Sequence, residues 1–353
     1  MRILAVESSC DDMSWAVVKD GTDVESCHVF SQADLHAVTG GVVPEVAARE
    51  HVRQAIPSLR AMGEAIGGFQ NIDAIAMTQG PGLLGSLIVG ISTAQTLALF
   101  LGKPLIPVHH IEGHIYANWL ERDKDEIKFP LVVLTVSGGH NDLYYMKDFF
   151  SYELIGHSLD DAAGEAFDKV ARILELGYPG GPAIEKFLKE SEGLSIRRHL
   201  PRALKQKGNH HFSFSGLKSD VKRHVQLLKD EGTFTVEERI DIAAAFQESV
   251  VEVLAEKLFD AAKYMNAQSV CVSGGVSANN ALKEYMLTHA HKHGFQEEQI
   301  FFPMKKLYST DNAAMIGAAA YYVAERKPEK ILDTPEKIMG VSPLLVYTVG
   351  NDA

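Results

Sequence analysis

The chain has 353 residues, of which 46% are hydrophobic and 23% charged, with a formal net charge of -12. That balance belongs to a soluble globular protein of about two domains, and the acidic excess disfavours one that coats nucleic acid by bulk electrostatics, although a local basic patch could still do so. Cys10, Cys27 and Cys271 show no CxxC spacing, and no signal pattern precedes the opening strand MRILAVE, which fits a reduced, cytoplasmic setting rather than a disulfide scaffold.

In chain order, ILAVESSCDDMSWAVVKDG predicts a strand, a turn of small polar residues and a second strand. VVPEVAAREHVRQAI predicts an amphipathic helix that starts near Pro44 and is interrupted before Pro57. The stretch between Asp73 and Lys103 has no charge, and GLLGSLIVGISTAQTLALFLG is long enough to span a bilayer. Its Ser86, Ser92, Thr93, Gln95, Thr96 and four glycines, with no positive flank ahead, favour a buried helix packed through small residues. The strand PLIPV then leads into HHIEGHIYAN.

PLVVLTVSGGHNDLYYMKD repeats the plan of the opening hairpin. DDAAGEAFDKVARILELG predicts a helix with acidic caps that stops at Gly177. VEERIDIAAAFQESVVEVLAEKLFDAAKYM keeps one apolar stripe through Ile242, Phe246, Val250, Val253 and Leu258. After the strand SVCV, the turn VSGGVSANN enters a helix marked by Asn279 and Asn280, and TDNAAMIGAAAYYVAERK predicts a last helix capped by Thr310 or Asp311. Strand clusters alternating with helices mean α/β architecture, and the duplicated hairpins predict two related halves facing each other across a cleft. The expected division is 1–128, then 129–310 carrying the glycine turns, with a helix at 311–326 returning to the first lobe and a tail at 327–353.

Glycine turns after strands expose backbone N–H groups that suit phosphate oxygens. SGGH at 137–140 and SGGV at 273–276 occupy comparable settings, while GxxxxGK[ST] and a GxGxxG after the first strand are both absent. Asp168 reads either as a surface partner of Arg172 at i+4 or as a ribose acceptor, and Glu185 is similarly two-sided. Asp11 could orient a phosphate, a metal or a water, or cap its turn.

His110 and His114 stand four apart, on one face of a helix, where they could hold a metal or simply be two hydrogen-bonded histidines. A metal needs a third ligand, for which Asp311 is the best candidate unless it serves only as a helix cap. Two imidazoles and a carboxylate suit Fe(II) or Zn(II) with positions left for substrate. In H-E-x-x-H the glutamate follows the first histidine directly, but Glu112 is two residues on, rotated away from the position of a peptidase base. Residues 197–223 carry eight Lys/Arg against Asp220 alone, open to phosphate contact or to balancing acid elsewhere, while Phe212 and Phe214 point to core packing.

Together ESSCDD, GGVVPEVAAREH, GPGLLGSL, PVHHIEGH, VSGGH, DDAAGEAFDKVA, YPGGP, FSFSGLK, GGVSAN and STDNAAMIG resemble, in order over about residues 1–320, the tRNA N6-adenosine threonylcarbamoyltransferase family, once described as O-sialoglycoprotein endopeptidases. FSFSGLK resembles the bacterial branch, whereas Asp12, Met13 and Trp15 depart from the family's glutamate and small residues. The resemblance implies an actin/Hsp70/sugar-kinase-like fold with two related lobes around a nucleotide-binding cleft. It implies that His110, His114 and Asp311 ligate one divalent ion per subunit, Fe(II) ahead of Zn(II). It further implies that Thr135, Val136, Ser137, Gly138, Gly139, Asp168, Gly181, Glu185 and Asn279 contact nucleotide and substrate, and that Asp11 is needed for activity. The implied reaction moves a threonylcarbamoyl group from its adenylate to N6 of the adenosine beside the anticodon in tRNAs reading A-starting codons, releasing AMP. The implied partners are tRNA, an inactive paralogous subunit, a small ATPase and a separate synthase that makes the adenylate, with no membrane, and the basic segment then leans toward tRNA. A metallopeptidase, a small-molecule kinase or ATPase of the same fold, and a non-catalytic scaffold are the rival functions.

Overall fold

The apolar run ILAV places β1 (Arg2–Glu7) at the centre of the first sheet, where Ile3, Leu4, Ala5 and Val6 are all buried. Burial of successive residues means that both faces of the sheet are covered, as parallel arrangements require. The computed structural model describes residues 1–37, 41–191, 198–204, 206, 208–344 and 349. These form two units, Met1–Ile127 with Pro303–Ala353, and Lys128–Phe302.

In the first unit, β1, β2 (Met13–Lys19) and β3 (Asp23–Phe30) make an antiparallel meander. The short helix α1 (Ala33–Ala37) and the long α2 (Pro44–Ala65) follow. Then come β4 (Ala74–Gly80), α3 (Leu84–Leu101), β5 (Leu105–His109) and α4 (His110–Tyr116). The sheet order is β3-β2-β1-β4-β5, with β1, β4 and β5 mutually parallel, so their C-terminal ends emerge along one edge. Glu7, Thr78 and His110 lie at or beside those ends, the edge at which open α/β sheets carry their sites.

The second unit repeats the plan. An antiparallel meander of β6 (Leu131–Val136), β7 (Asn141–Met146) and β8 (Tyr152–His157) precedes α5 (Ala163–Ile173), α6 (Gly180–Lys189), α7 (Ser215–Asp230) and α8 (Val236–Tyr264). Then β9 (Ser269–Ser273), α9 (Asn280–His293) and β10 (Ile300–Phe301) complete the order β10-β9-β6-β7-β8, the same topology read from the other edge. Phe167, Phe212, Phe214 and Phe246 fill its core, as the alternation at 212 and 214 suggested. The chain then returns to the first unit as α10 (Ala313–Arg326), packed on β1, β2 and β5, and α11 (Pro335–Gly340).

Several local expectations are corrected. The helix over Pro57 is not interrupted, because Arg53, whose carbonyl loses its intrahelical donor, and Pro57 itself both lie on the exposed side, within reach of water. Asp160 and Asp161 do not cap α5; they turn to Ser213, Ser215, Lys169 and Lys218 instead. The cap of α10 is Asn312, whose side chain accepts from Met315 N–H, so neither Thr310 nor Asp311 fills that place. Residues 303–310 lie with the first unit rather than the second, tied by Lys305 and Tyr308 to Glu121. The described part of the tail also packs there, through paired Leu105–Leu332 backbone bonds and the buried Ile338. In α3 the small residues do face inward, at Ser86, Gly90 and Ala94, but the helix is less enclosed than expected, with Leu84, Ile88 and Phe100 exposed.

Candidate metal centre and glycine turns

The site grows from the end of β5. His109 caps α4 by accepting from Ile111 N–H, which starts a helix at the first histidine of the pair. One turn then sets His110 and His114 side by side, ring centroids 4.7 Å apart. Gly113, between them, faces Ile316 and Met315 so closely that a Cβ would stand 2.8 Å from the Ile316 side chain. That close packing of α4 on α10 brings Asp311 to the pair. Its Oδ1 lies 3.2 Å from His114 Nε2 and 3.6 Å from His110 Nε2, and the three ligand atoms fall within 4.8 Å of one another.

A tetrahedral ion with ligands at about 2.1 Å spaces them roughly 3.4 Å apart, so this donor set fits a divalent cation. His114 is almost wholly buried and His110 nearly so, while the Asp311 side chain keeps 30% of its surface, which leaves an approach from that side. Burial opposes a charge on His110, but the carboxylates of Asp311 and Glu7 outweigh it and raise the imidazole to about 9. A cation bound there would take the place of that proton. Glu112 is not among the converging groups, so the histidine pair lacks the base of the H-E-x-x-H arrangement.

Spacing did not reveal what stands behind the histidines. Glu7, fully buried at the end of β1, accepts from Ser9 N–H and Thr78 Oγ1 and lies 3.2 Å from His110 Nδ1. Burial raises its carboxyl, yet His110 and Ser9 bring it below the usual range. The only signal for it was an acid closing an apolar strand, ILAVE. Asp11 sits in the following turn, whose Ser9 hydroxyl also lies 3.2 Å from His110 Nδ1. His51 holds that turn from α2, its Nε2 2.9 Å from the Cys10 carbonyl.

In the second unit the other candidates form a closed ring of contacts. Thr135, next to last in β6, is hydrogen-bonded to Ser273, ending β9, at 3.0 Å. Val136 is buried, and its carbonyl would meet a Cβ on Gly274 at 2.5 Å, where φ is +81°. Ser137 O accepts from Gly164 N–H at the start of α5. Asp168, one turn on, accepts the Gly180 N–H at 2.7 Å; burial raises its carboxyl, partly offset by that bond and by Arg172. Glu185 on α6 accepts Asn280 N–H at 2.7 Å, and Asn279 caps α9 through Leu282 N–H, which returns the ring to the β9 turn. Gly138, Gly139 and Gly181 face open space where a side chain would stand, so a ligand can approach these turns closely, with the Gly139 N–H turned at 3.4 Å toward Ser137 Oγ.

The basic segment is committed to the protein in large part. Arg198 pairs with Glu238 and Asp241, Arg202 with Glu248 and Glu252, Lys218 with Asp161 and Arg223 with Asp220. The Arg198 and Arg202 bonds fasten the segment to α8 and the Lys218 bond to the turn before α5, which leaves less of its charge for phosphates than its composition suggested. Arg197, Lys205 and Lys207 lie outside the described residues.

The fold is of the actin/Hsp70/sugar-kinase type. Among solved structures, the activator of 2-hydroxyisocaproyl-CoA dehydratase from Clostridium difficile aligns over 94% of this chain and 98% of its own, with a TM-score of 0.51 at 15% identity. Residues 23–318 match the family described as TsaD: tRNA N6-adenosine threonylcarbamoyltransferase. A protein of that name from Staphylococcus aureus is 46% identical over 325 residues, 92% of each chain. Its counterpart from Staphylococcus carnosus is 46% identical over 324 residues, 92% of this chain and 91% of its own. The chain belongs to this family of tRNA-modifying transferases.

Proposed function

We propose that this chain transfers the threonylcarbamoyl group of threonylcarbamoyl-adenylate to N6 of the adenosine beside the anticodon in tRNAs that read A-starting codons. The observation that carries the reading is the convergence of His110, His114 and Asp311 within 4.8 Å, in a chain of this family. In the reaction the N6 amine attacks the carbamoyl carbon, the bond from that carbon to the phosphate oxygen breaks, and AMP leaves as the attacking nitrogen loses a proton. His110, His114 and Asp311 would hold one divalent ion per subunit, Fe(II) ahead of Zn(II). Bound there, the ion supplies a Lewis acid that anchors the threonyl oxygens and polarises the carbonyl.

The chain's own groups do the rest. The uncrowded turns at Gly138 and at Gly275 would let backbone N–H donors reach the phosphate that departs with AMP. Thr135, Val136 and Ser137 set the first turn, while Asp168 and Glu185 hold Gly180 and Asn280 in place, so that the donors are aligned before substrate arrives. Asp11, in the turn that also contacts His110, is assigned to activity in the first unit.

We extend the proposal to a cytoplasmic setting and to the partners of the bacterial branch, an inactive paralogous subunit and a small ATPase. Exposed Val52, Ile56, Ile88 and Phe100 on the packed pair α2 and α3 support a protein partner for this unit. The test is the purified chain with those partners, donor adenylate and unmodified tRNA, followed by nucleoside analysis. Modified adenosine with AMP released in equal amount supports the proposal. Unmodified tRNA alongside cleavage of a protein substrate, or phosphorylation of a small molecule, contradicts it.

A further inference from the structure

Glu7 is a carboxylate with no access to water, an expensive arrangement unless its lone pairs are used. Three donors converge on it. Ser9 N–H meets Oε1 at 2.5 Å, and Thr78 Oγ1 meets Oε2 at 2.5 Å. The third is His110 Nδ1, 3.2 Å from Oε2. A glutamine of the same shape could not accept from all three without turning its NH2 group toward one of them. The site therefore uses a charged acceptor where a neutral amide would be cheaper to bury.

The consequence lies on the other side of the ring. A neutral imidazole carries its proton on one nitrogen only, and an acceptor beside Nδ1 keeps the proton there. Nε2, which faces Asp311, is then left with its lone pair exposed to the converging ligand set. His114 has no such partner: its buried Nδ1 makes no hydrogen bond among the described residues. The pair is thus asymmetric, with one ring fixed from behind at Nδ1 and the other met only at Nε2, by Asp311.

We propose that Glu7 is a positioning residue of the metal centre, fixing the Nδ1–H tautomer and the ring orientation of His110 so that Nε2 is presented to a divalent cation. Thr78 and Ser9 in turn fix Glu7, which links the ends of β1, β4 and α4 to one ligand. This inference rests on the metal-centre reading. Removing such an outer partner weakens metal affinity by about 10–100-fold in comparable sites.

The test is titration of the full-length chain with Zn2+ alone, for the wild type, Glu7→Gln and Glu7→Asp, beside the thermal stability of each metal-free protein. The expected result is a 10–100-fold weaker affinity in Glu7→Gln, whose neutral amide cannot serve all three donors, part of it recovered in Glu7→Asp, which keeps the carboxylate. Equal affinity in wild type and Glu7→Gln overturns the role of Glu7. A wild type that binds no Zn2+ overturns the metal-centre reading itself and, with it, this inference. Should Glu7→Gln not fold, nitrogen NMR of histidine-labelled wild type loaded with Zn2+, in which the cation has displaced one of the two His110 protons, decides the matter on its own. A protonated Nδ1 at His110 supports the proposal, and a protonated Nε2 overturns it.

Discussion

The Asp168 carboxylate accepts the backbone N–H of Gly180 across the turn between α5 and α6, at 2.7 Å. The contact is close on both sides: a Cβ on Gly180 would stand 2.5 Å from Asp168 Cα. Asp168 is therefore first a clamp on the YPGG turn, and its remaining lone pairs are what a bound nucleotide could use. Asp168→Ala should lower stability by about 1.5–3 kcal/mol, the usual scale for a bond to a charged group. Asp168→Asn keeps an acceptor and should retain most of that stability. Urea unfolding compares the two, and titration with AMP should show weaker binding in both.

Gly274 holds the second glycine turn at φ +81°, with the Val136 carbonyl where a side chain would begin. An L-residue there meets both a steric wall and an unfavourable backbone conformation. Gly274→Ala should cost about 1–3 kcal/mol and lower nucleotide affinity, because the turn must move away from β6. Gly275, which has open space around it, serves as the control and should tolerate alanine with little change.

The helix α7 is started from outside. Asp160 accepts the N–H groups of Phe214 and Ser215 and the hydroxyls of Ser213 and Ser215. Burial raises its carboxyl, but those hydroxyls and amides together outweigh it and bring it below the ordinary value. A depressed acid contributes stability that is complete above its unfolded value and is lost as pH falls through the folded one. Asp160→Ala should therefore cost about 1 kcal/mol near neutrality, the low side of capping effects because the group is largely exposed. The gap between the two proteins should close as pH drops below the ordinary carboxylate range, read by denaturant melts at successive pH values.

The helices α2 and α3 carry Ile56 at 63% and Phe100 at 84% exposure, large apolar groups that nothing among the described residues covers to any great extent. Ile56→Asp with Phe100→Asp should leave the stability of the isolated chain within about 0.5 kcal/mol, as surface changes do. The same pair should abolish co-purification with the paralogous subunit. Retained association would remove this face from the proposal.

The strand-turn-strand repeats were legible because each hairpin joins two largely apolar runs through small polar turns, a local pattern. The pairing of His110 with His114 was equally local, fixed by helical spacing. Asp311 was harder, since its contact with them depends on α10 returning across some two hundred residues and on Gly113 letting it approach. Glu7 and Thr78 were invisible for a similar reason. Their meeting with His110 follows from the order β1-β4-β5, which no local pattern encodes. The caps failed where several polar residues adjoin: in TDN the chain uses Asn312 as the cap, and in DD Asp160 turns to the start of α7 while Asp161 bridges Lys169 of α5 and Lys218 of α7.

The ligand set His110, His114 and Asp311 is tested most directly by elemental analysis of freshly isolated protein, wild type beside His114→Ala. The account predicts about one divalent ion, iron or zinc, per wild-type chain, and none in the variant, which still folds but no longer modifies tRNA. Metal-free wild type with full transfer activity, or a variant that keeps its ion, would contradict it.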